Sequence, residues 1–349
     1  MKENECFDVT IIGGGPAGLY SAFYSGLRGM KAKIIEFQPQ LGGKIHVYPE
    51  KMIWDVGGLT PTPGAKLIDQ LVEQGLTFNP EVALNEKIVS IARDEDGLFL
   101  LKAASGNVHY SKTVIVAVGS GILQPQKLNI EGADRFEISN LHYTVKSLKY
   151  FKDRTVIISG GGNSAIDWAN ELTPIAKQVY LTCRKGQLSG HEAQVEQLMN
   201  SSAQTFLNTS ITKLLAKHGE DVIDRVELLN NVTQATSSLS IDDVIINHGF
   251  DQDASLLTDS ELNIKMMDNF YIEGSTMCES SIPGIFAAGD IIKHEGKLNL
   301  IAGAFQDAAN AVNKAKQFIE PDAGAFAMVS SHNEVFKDRN KELVRQLVK

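Results

Sequence analysis

Two short glycine-rich segments carry the residue types and spacing that would bind a dinucleotide pyrophosphate. The first, VTIIGGGPAGLYSA at 9–22, places Gly13, Gly15 and Gly18 between an apolar strand-like run and a helical pattern. In such a turn the first glycine permits a tight bend, the second lets the backbone approach a phosphate, and the third lets helix and strand pack closely. The helix N-terminus then faces the phosphates. The spacing therefore predicts a dinucleotide site near the start of the chain.

An acidic residue stands where the first nucleotide's ribose would lie. Glu36 ends the next predicted strand, AKIIEF, and a carboxylate at that place binds ribose hydroxyls. A glycine-rich turn of some other α/β fold would explain the glycines alone. The preceding strand, the following helix and the acid together favour dinucleotide binding.

The second glycine-rich segment, VIISGGGNSAIDWANEL, has the variant spacing G-x-G-x-x-A. Its key positions are Gly160, Gly162 and Ala165, and alanine is an accepted third residue of this fingerprint. Asn163 and Ser164 lie between them, at the predicted helix start, and are candidate nucleotide contacts. The segment predicts a second dinucleotide site.

The strand after this second turn ends in cations instead of an acid. In VYLTCRKGQ these cations are Arg184 and Lys185. A carboxylate there would favour a free 2′-hydroxyl, whereas cations favour a 2′-phosphate. A solvated basic turn is the alternative interpretation of the pair. Its position in the βαβ pattern favours NADPH over NADH as the second nucleotide.

Composition limits the class of protein. A chain of 349 residues with 43% hydrophobic and 21% charged residues is typical of a globular protein of two or three domains. No apolar run is long enough for a membrane span, and the polar start MKENECFDV is unlike a signal peptide. A net charge of −9 disfavours general nucleic-acid binding.

Cysteine and histidine usage points away from disulfides and metals. The three scattered cysteines, Cys6, Cys183 and Cys278, form no disulfide framework. They predict a cytoplasmic protein, because reducing compartments keep thiols free. The eight histidines show no spacing such as H-E-x-x-H. No metal site is predicted.

The coarse pattern of elements repeats once along the chain. Strand, turn, helix and strand follow one another at 7–37, and a second such unit opens at 154. GAKLIDQLVEQG and GAFQDAANAVNKAKQFI predict helices, IPGIFAAGDII predicts a strand, and SSHNEVFKDRNKELVRQLVK predicts a helical end. The class predicted is α/β, with two similar units.

The ordered motifs resemble the two-dinucleotide-binding-domain flavoproteins, the family of thioredoxin reductase and glutathione reductase. Besides the glycine turns, the resemblance rests on TVIVAVGSG (113–121), TMCESSIPGIFAAGD (276–290) and LGGKIHVYPEK (41–51). It implies two Rossmann-like three-layer domains. FAD would lie in a domain made of 1–121 and 249–349, and NADPH in an inserted domain, 122–248.

Within that family the chain departs from the thioredoxin reductases. These carry a C-x-x-C pair in the NADPH domain, whereas Cys183 is the single cysteine of that region here. Dithiol exchange needs a pair, so disulfide reduction is not expected. HVYPEKMIWDVGG (46–58) and SSHNEVF (330–336) instead resemble the thioredoxin-reductase-like ferredoxin–NADP+ reductases.

The resemblance implies further residues around FAD. Asp290 would bind the ribityl chain, and Tyr48 would stack on one flavin face. His332, preceded by Ser331, would cover the other face from the partner subunit of a homodimer. Three more positions match residues that line the FAD site, namely Lys44, Ile88 and Leu123. The alternative interpretation of Tyr48 is a tyrosine packed on the core, and that of His332 is a surface histidine on a tail. For Ile88 and Leu123 the alternative is ordinary core packing.

The activity that the resemblance implies is electron transfer between NADPH and ferredoxin or flavodoxin, by hydride transfer to the flavin and then single-electron steps. The flavin carries the chemistry, so no catalytic side chain is expected. A helix starting near Ala302 would aim its N-terminus at the flavin. Two rivals remain open: an NADPH diaphorase or quinone reductase with a small-molecule acceptor, and a noncatalytic NADPH-sensing flavoprotein.

An acidic protein acceptor would need a local positive patch on this acidic chain. The candidates are the cations of the C-terminal end, Lys337, Arg339, Lys341, Arg345 and Lys349. Acidic residues interleave with them, and a solvated helix face explains the pattern equally well.

Overall fold

Short apolar strands, separated by glycine turns and amphipathic helices, build the first third of the chain. The computed structural model of the protein describes residues 5–121, 124–217, 220–251 and 253–347. The chain forms two units, Met1–Ile122 with Gln252–Lys349, and Leu123–Asp251. The predicted boundaries at 121/122 and 248/249 remain predictions.

Over residues 5–121, the first part of the discontinuous unit holds eight strands and two α-helices. They are β1 Cys6–Ile12, α1 Pro16–Leu27, β2 Ala32–Ile35, β3 Met52–Ile53, β4 Thr62–Pro63, α2 Gly64–Gly75, β5 Glu81–Ala83, β6 Ile88–Arg93, β7 Phe99–Ala103 and β8 Val108–Val116. The inserted segment follows.

The continuous unit contains ten strands and two α-helices in its described residues. They are β9 Gln124–Pro125, β10 Leu141–His142, β11 Thr155–Ser159, α3 Asn163–Leu172, β12 Gln178–Cys183, α4 Glu192–Met199, β13 Gln204–Leu207, β14 Thr209–Ala216, β15 Ile223–Asn230, β16 Thr236–Ser240, β17 Asp243–Ile246 and β18 Phe250–Asp251.

The chain then returns to the first unit. Its remaining elements are α5 Ser255–Thr258, β19 Met266–Met267, β20 Tyr271–Glu273, β21 Ile285–Ala287, β22 Ile292–Lys293, α6 Ile301–Ile319 and α7 Lys337–Leu347.

The main sheet of the first unit has the order β5-β2-β1-β8-β7-β6, with β21 also paired to β8. The strands β5, β2, β1, β8 and β21 pair parallel with one another, whereas β7 pairs antiparallel with both β8 and β6. All four residues of β2 are buried, as expected for a parallel strand covered on both faces. Helix α1 packs against α2 and α6. The sheet edge at the carboxyl end of β1 therefore carries the first glycine turn.

The second unit repeats this plan on a smaller scale. Its five-stranded sheet has the order β10-β17-β11-β12-β13, and all of these pairings are parallel. A separate antiparallel sheet is formed by β14, β15 and β16. Its apolar residues share a core cluster with Ile157 and Val244 of the parallel sheet. The carboxyl end of β11 leads into the second glycine turn.

Two predicted elements differ in extent from the structure. The strand predicted over IPGIFAAGDII is split into β21 and β22 by a turn at Gly289–Ile291, because Gly289 adopts a left-handed φ of +81°. The helix predicted over the C-terminal end begins only at Lys337. Two 3-10 turns, Ser330–His332 and Glu334–Phe336, precede it. In the described ranges, no helix is long and apolar enough to cross a membrane.

An ion pair joins the two parts of the discontinuous unit. Lys87 Nζ lies 2.5 Å from Asp253 Oδ2, and the Ser255 amide donates to Asp253 Oδ1 at 2.8 Å. Burial alone would raise the pKa of Asp253, but hydrogen bonds from Lys87 and Ser255 outweigh it and lower the pKa to about 2. The ion pair thus anchors the returning chain beside β6.

Asp253→Asn is expected to lower the free energy of unfolding by about 1 kcal/mol at neutral pH, since partial exposure screens the pair. The folded pKa lies below the ordinary value of 3.8. The stabilisation is therefore present above that value and is lost as pH falls through the folded pKa. Urea unfolding of the unmodified protein and of Asp253→Asn, at pH values above and below 3.8, measures this stabilisation. A difference that does not change with pH would contradict the assignment.

Candidate functional site

The first glycine turn is closed so tightly that Gly13 and Gly18 leave no room for a Cβ atom. Gly13 follows β1 with a φ of +111°, and its amide donates to Ile35 O at 2.8 Å. A Cβ atom on Gly13 would overlap the Ala117 carbonyl, and one on Gly18 would overlap the Gly13 carbonyl oxygen. Gly15 is the N-cap of α1 and has no side-chain cap. The turn therefore leaves the amides at the start of α1 available to an anion.

Glu36 lies beside this turn as predicted, and the backbone fixes both of its carboxylate oxygens. Oε2 accepts from the Gly14 amide at 2.6 Å, and Oε1 accepts from the Gln38 amide at 2.7 Å. Burial raises the pKa of Glu36, and these two amide hydrogen bonds partly oppose it. Each oxygen keeps lone-pair capacity for a ribose hydroxyl. The sequence had not indicated that Gly14 orients the acid.

Tyr48 belongs to the first unit, and its surroundings keep the phenol protonated. Tyr48 ends the 3-10 turn Gly43–Val47 and is half-buried against the core. Burial, with smaller contributions from Asp290 and Asp55, raises the pKa of Tyr48 to about 12. Its phenol is therefore neutral at physiological pH.

The other predicted FAD positions are dispersed. Lys44 is exposed, and Ile88 is 4% exposed within the main core. Ser331 and His332 are exposed. Among the described residues, no hydrogen bond or ring contact joins them to Tyr48. Leu123 lies outside the described residues.

The second glycine turn resembles the first, except that its third key position is Ala165 and not a glycine. A Cβ atom on Gly160 would lie 2.5 Å from Asn247 O and 2.9 Å from the Ala165 Cβ, whereas one on Gly162 would meet no atom within 4 Å. Gly162 is the N-cap of α3. Ala165 is fully buried, so this turn accommodates a methyl group at its third position. Open space remains above the helix N-terminus.

The residues that open α3 are exposed, as a nucleotide contact requires. Asn163 and Ser164 are both exposed. The Asn163 Oδ1 accepts from the His191 amide at 2.9 Å, which fixes the side-chain amide at the turn. Ser164 stands next to it in the first turn of the helix.

Arg184 and Lys185 follow β12 at the same edge of the sheet, and both are exposed. Hydrogen bonds to their carbonyl oxygens hold the backbone: the Asn231 side chain donates to Arg184 O at 3.3 Å, and the Asn208 amide donates to Lys185 O at 2.9 Å. Neither cation forms an ion pair with any acid in the part of the chain that the structure describes. Their charge is thus available to an anion.

A histidine that the sequence did not single out also lies at this turn. His248 Nε2 is 2.9 Å from Ser159 Oγ, and Ser159 immediately precedes Gly160. Burial, and secondarily the charge of Arg184, lower the pKa of His248. The ring is neutral at pH 7. Its place just after β17, a buried strand ending at this edge, is the signal that would have indicated it.

Two of the C-terminal cations are neutralised by nearby acids, whereas Lys349 lies outside the described residues. Lys337 pairs with Glu334 at 2.8 Å, and Lys341 with Asp338 at 3.0 Å. In contrast, Arg339 and Arg345 are exposed and make no ion pair with any described acid.

Comparison with known proteins places these turns in a family. The family described as "Pyridine nucleotide-disulphide oxidoreductase" matches residues 7–315, a span that includes both glycine turns. The chain belongs to this family. It is an oxidoreductase, and the enzyme class inferred from its motifs is confirmed.

Two relatives extend the match over the whole chain. "Ferredoxin--NADP reductase 1" of Bacillus mycoides (strain KBAB4) is 72% identical over 349 residues, and the protein of that name from Bacillus thuringiensis (strain Al Hakam) is 71% identical. Each alignment covers 100% of both chains. The resemblance to the ferredoxin–NADP+ reductase branch is thereby confirmed.

A solved structure matches the oxidoreductase in fold. Thioredoxin reductase of Lactococcus lactis superposes with a TM-score of 0.73 at 24% sequence identity, covering 90% of this chain and 99% of that one. This likeness confirms the predicted fold class of the glutathione and thioredoxin reductase type.

Proposed function

We propose that this oxidoreductase moves electrons between NADPH and ferredoxin or flavodoxin, with FAD as its bound cofactor. The observation that carries the proposal is the contrast between two similar turns. The first is followed by the buried carboxylate of Glu36, and the second by the exposed cations Arg184 and Lys185. The names of the full-length relatives support ferredoxin as the acceptor.

The first turn fits FAD. The α1 N-terminus at Gly15 would receive the pyrophosphate, because a Cβ there would meet only Gly43 Cα, at 3.7 Å. Glu36 would accept hydrogen bonds from the adenosine ribose, and Asp290 would bind the ribityl chain. Bound FAD supplies the exchange between two-electron hydride transfer and one-electron transfer, which no protein side chain offers.

The residues around the flavin would act by position rather than by acid–base chemistry. The neutral ring of Tyr48 would stack on one flavin face, with Lys44, Ile88 and Leu123 near the cofactor. The exposed His332, preceded by Ser331, would cover the other face in the partner subunit of a homodimer. The N-terminus of α6, which begins at Ile301, would favour negative charge on the flavin side.

The second turn would hold NADPH in the same manner. Its pyrophosphate would lie over Gly160 and Gly162, against the first turn of α3 with Asn163, Ser164 and Ala165. Arg184 and Lys185 would bind the 2′-phosphate through charge-assisted hydrogen bonds.

Two features support a protein as the electron acceptor: the absence of a cysteine pair in the NADPH-binding region and the exposed positive charge of the C-terminal end. All three cysteines are free, and the NADPH-binding region carries only Cys183, so a dithiol route is not available. Arg339 and Arg345 would attract an acidic protein acceptor. The cytoplasmic location stays a prediction.

Glu36→Gln is expected to weaken FAD binding about tenfold. The side-chain amide nitrogen of the glutamine would face the N–H of Gly14 or Gln38, so that two hydrogen-bond donors would oppose each other. A buried donor without an acceptor costs about 1–3 kcal/mol. Titration of FAD into the FAD-depleted chain measures the dissociation constant, with Glu73→Gln on the exposed face of α2 as control. An unchanged constant in Glu36→Gln would contradict the assignment of Glu36.

Anaerobic turnover with different acceptors tests the proposed function. The FAD-loaded protein is given NADPH with oxidised ferredoxin, flavodoxin or a benzoquinone at matched concentrations. We expect kcat/KM for ferredoxin or flavodoxin to exceed that for the quinone. A preference for the quinone would instead indicate a diaphorase, and no consumption of NADPH would leave a nucleotide-sensing module.

A further inference from the structure

Three potential metal ligands meet inside the first unit. Cys278 precedes β21, His294 follows β22, and Asp307 lies in α6. Their ligand atoms all lie within 4.8 Å of one another. His294 Nε2 is 3.5 Å from Asp307 Oδ1. Cys278 and Asp307 are buried and the His294 side chain is 9% exposed, so the donor set is enclosed.

Hydrogen bonds orient two of the three ligands. His294 Nδ1 lies 2.7 Å from the Glu295 carbonyl oxygen, so Nδ1 donates to that carbonyl and Nε2 faces the cluster. A histidine that ligates a metal usually donates its other ring N–H in this way. On Asp307, the Gly289 amide and Lys297 both hold Oδ2. Oδ1 therefore remains as the ligating oxygen.

We propose that Cys278, His294 and Asp307 form a binding site for a divalent zinc ion. Sulfur, imidazole and one carboxylate are donors that suit zinc, whereas magnesium and calcium prefer oxygen alone. Zinc has no redox chemistry, so the site is compatible with electron transfer elsewhere in the unit. Three protein ligands leave one coordination position for water.

Charge and protonation are consistent with a divalent cation. Lys297 Nζ donates to Asp307 Oδ2 and balances the charge of that carboxylate. Zinc binding would displace the proton of the Cys278 thiol. The ion would then have two anionic ligands, the Cys278 thiolate and the Asp307 carboxylate, with the Lys297 cation beside them. Ligation of this kind releases one proton for each thiolate formed.

Zinc at this site would connect separate parts of the chain. The three ligands come from three separate segments, so the ion links the loop before β21, the loop after β22 and α6. Gly289, whose amide is held by Asp307, directly precedes Asp290. The sequence predicted no metal site because metal-binding motifs are recognised by closely spaced ligands. These three ligands are spread over residues 278–307.

Equilibrium dialysis of the FAD-loaded protein against buffered zinc, with elemental analysis, tests the site. About one zinc per chain is expected after prior treatment with a chelator. Cys278→Ser and His294→Asn should each weaken binding at least about tenfold. Cys183→Ser, the matched change of another buried free cysteine, should leave it unchanged. Flavin reduction by NADPH is a separate readout, so this test does not depend on the proposed function.

X-ray absorption at the zinc edge identifies the ligands directly. We expect one sulfur at about 2.3 Å and nitrogen or oxygen ligands at about 2.0–2.2 Å. Three outcomes would overturn the proposal: no stoichiometric zinc in the unmodified protein, equal affinity in Cys278→Ser, or a sulfur-free ligand shell. In each case the cluster is a hydrogen-bonded ion pair only.

Discussion

Gly18→Ala is expected to destabilise the first unit by about 3 kcal/mol and to abolish FAD retention, because the added methyl group would overlap the Gly13 carbonyl oxygen. The obstacle cannot easily move aside. Gly13 is held by its hydrogen bond to Ile35 O at 2.8 Å and abuts the Ala117 carbonyl on its other side. Urea unfolding and flavin absorbance after gel filtration measure the two effects.

Gly57→Ala is the matched control for this prediction. A Cβ atom there would meet no atom within 4 Å, and Gly57 does not need a left-handed φ, so stability and FAD content should be unchanged. The second turn offers a natural contrast, because its third position is already Ala165. If Gly18→Ala retained FAD at the level of Gly57→Ala, the close packing of β1 and α1 would not be required for the cofactor site.

The double variant Arg184→Ala, Lys185→Ala is expected to lower kcat/KM for NADPH about 100-fold. Each charge-assisted hydrogen bond to the 2′-phosphate contributes about 1.5–3 kcal/mol, discounted here because both side chains are exposed. NADH lacks this phosphate, so its kcat/KM should change by less than about threefold. Initial rates with both nucleotides give the change in preference.

Lys152→Ala serves as the charge control. Lys152 is exposed in the same unit, but it precedes β11, whereas the nucleotide turn follows that strand. The preference for NADPH should therefore be retained. Equal losses with NADPH and NADH in the double variant would show that the two cations support the fold or general binding and do not read the 2′-phosphate.

The nucleotide turns were predictable from the sequence because their constraints are local. The fingerprint fixes which residues lack a Cβ, and the following strand ends in a carboxylate, Glu36, that lies beside the turn. Helix α2 was predicted over the same residues, Gly64–Gly75, since its apolar positions recur with helical period. In these segments, local pattern and tertiary packing agree.

Elsewhere, side-chain hydrogen bonds changed the local outcome. The predicted C-terminal helix is delayed to Lys337 because Asn333 Oδ1 accepts from the Val335 amide at 3.1 Å, which stabilises a turn in place of a helix. Phe336 also packs on Phe78, with ring centroids 5.3 Å apart. These turns depend on side-chain contacts, which the periodicity of apolar residues does not predict.

Long-range convergence was also outside the reach of sequence patterns. The approach of Cys278 to His294 and Asp307 depends on the packing of α6 against β21. His248 reaches Ser159 because β17 lies beside β11 in the sheet. The position of these pairs is set by strand order, which no short motif encodes.

The most direct test of electron transfer from NADPH to a protein acceptor is a two-step anaerobic stopped-flow experiment. The FAD-loaded protein is first mixed with NADPH, and the bleached protein is then mixed with oxidised ferredoxin. Rapid loss of flavin absorbance, followed by its fast return on mixing with ferredoxin, is the expected result. Bleaching that neither ferredoxin nor flavodoxin reverses would contradict the proposed function.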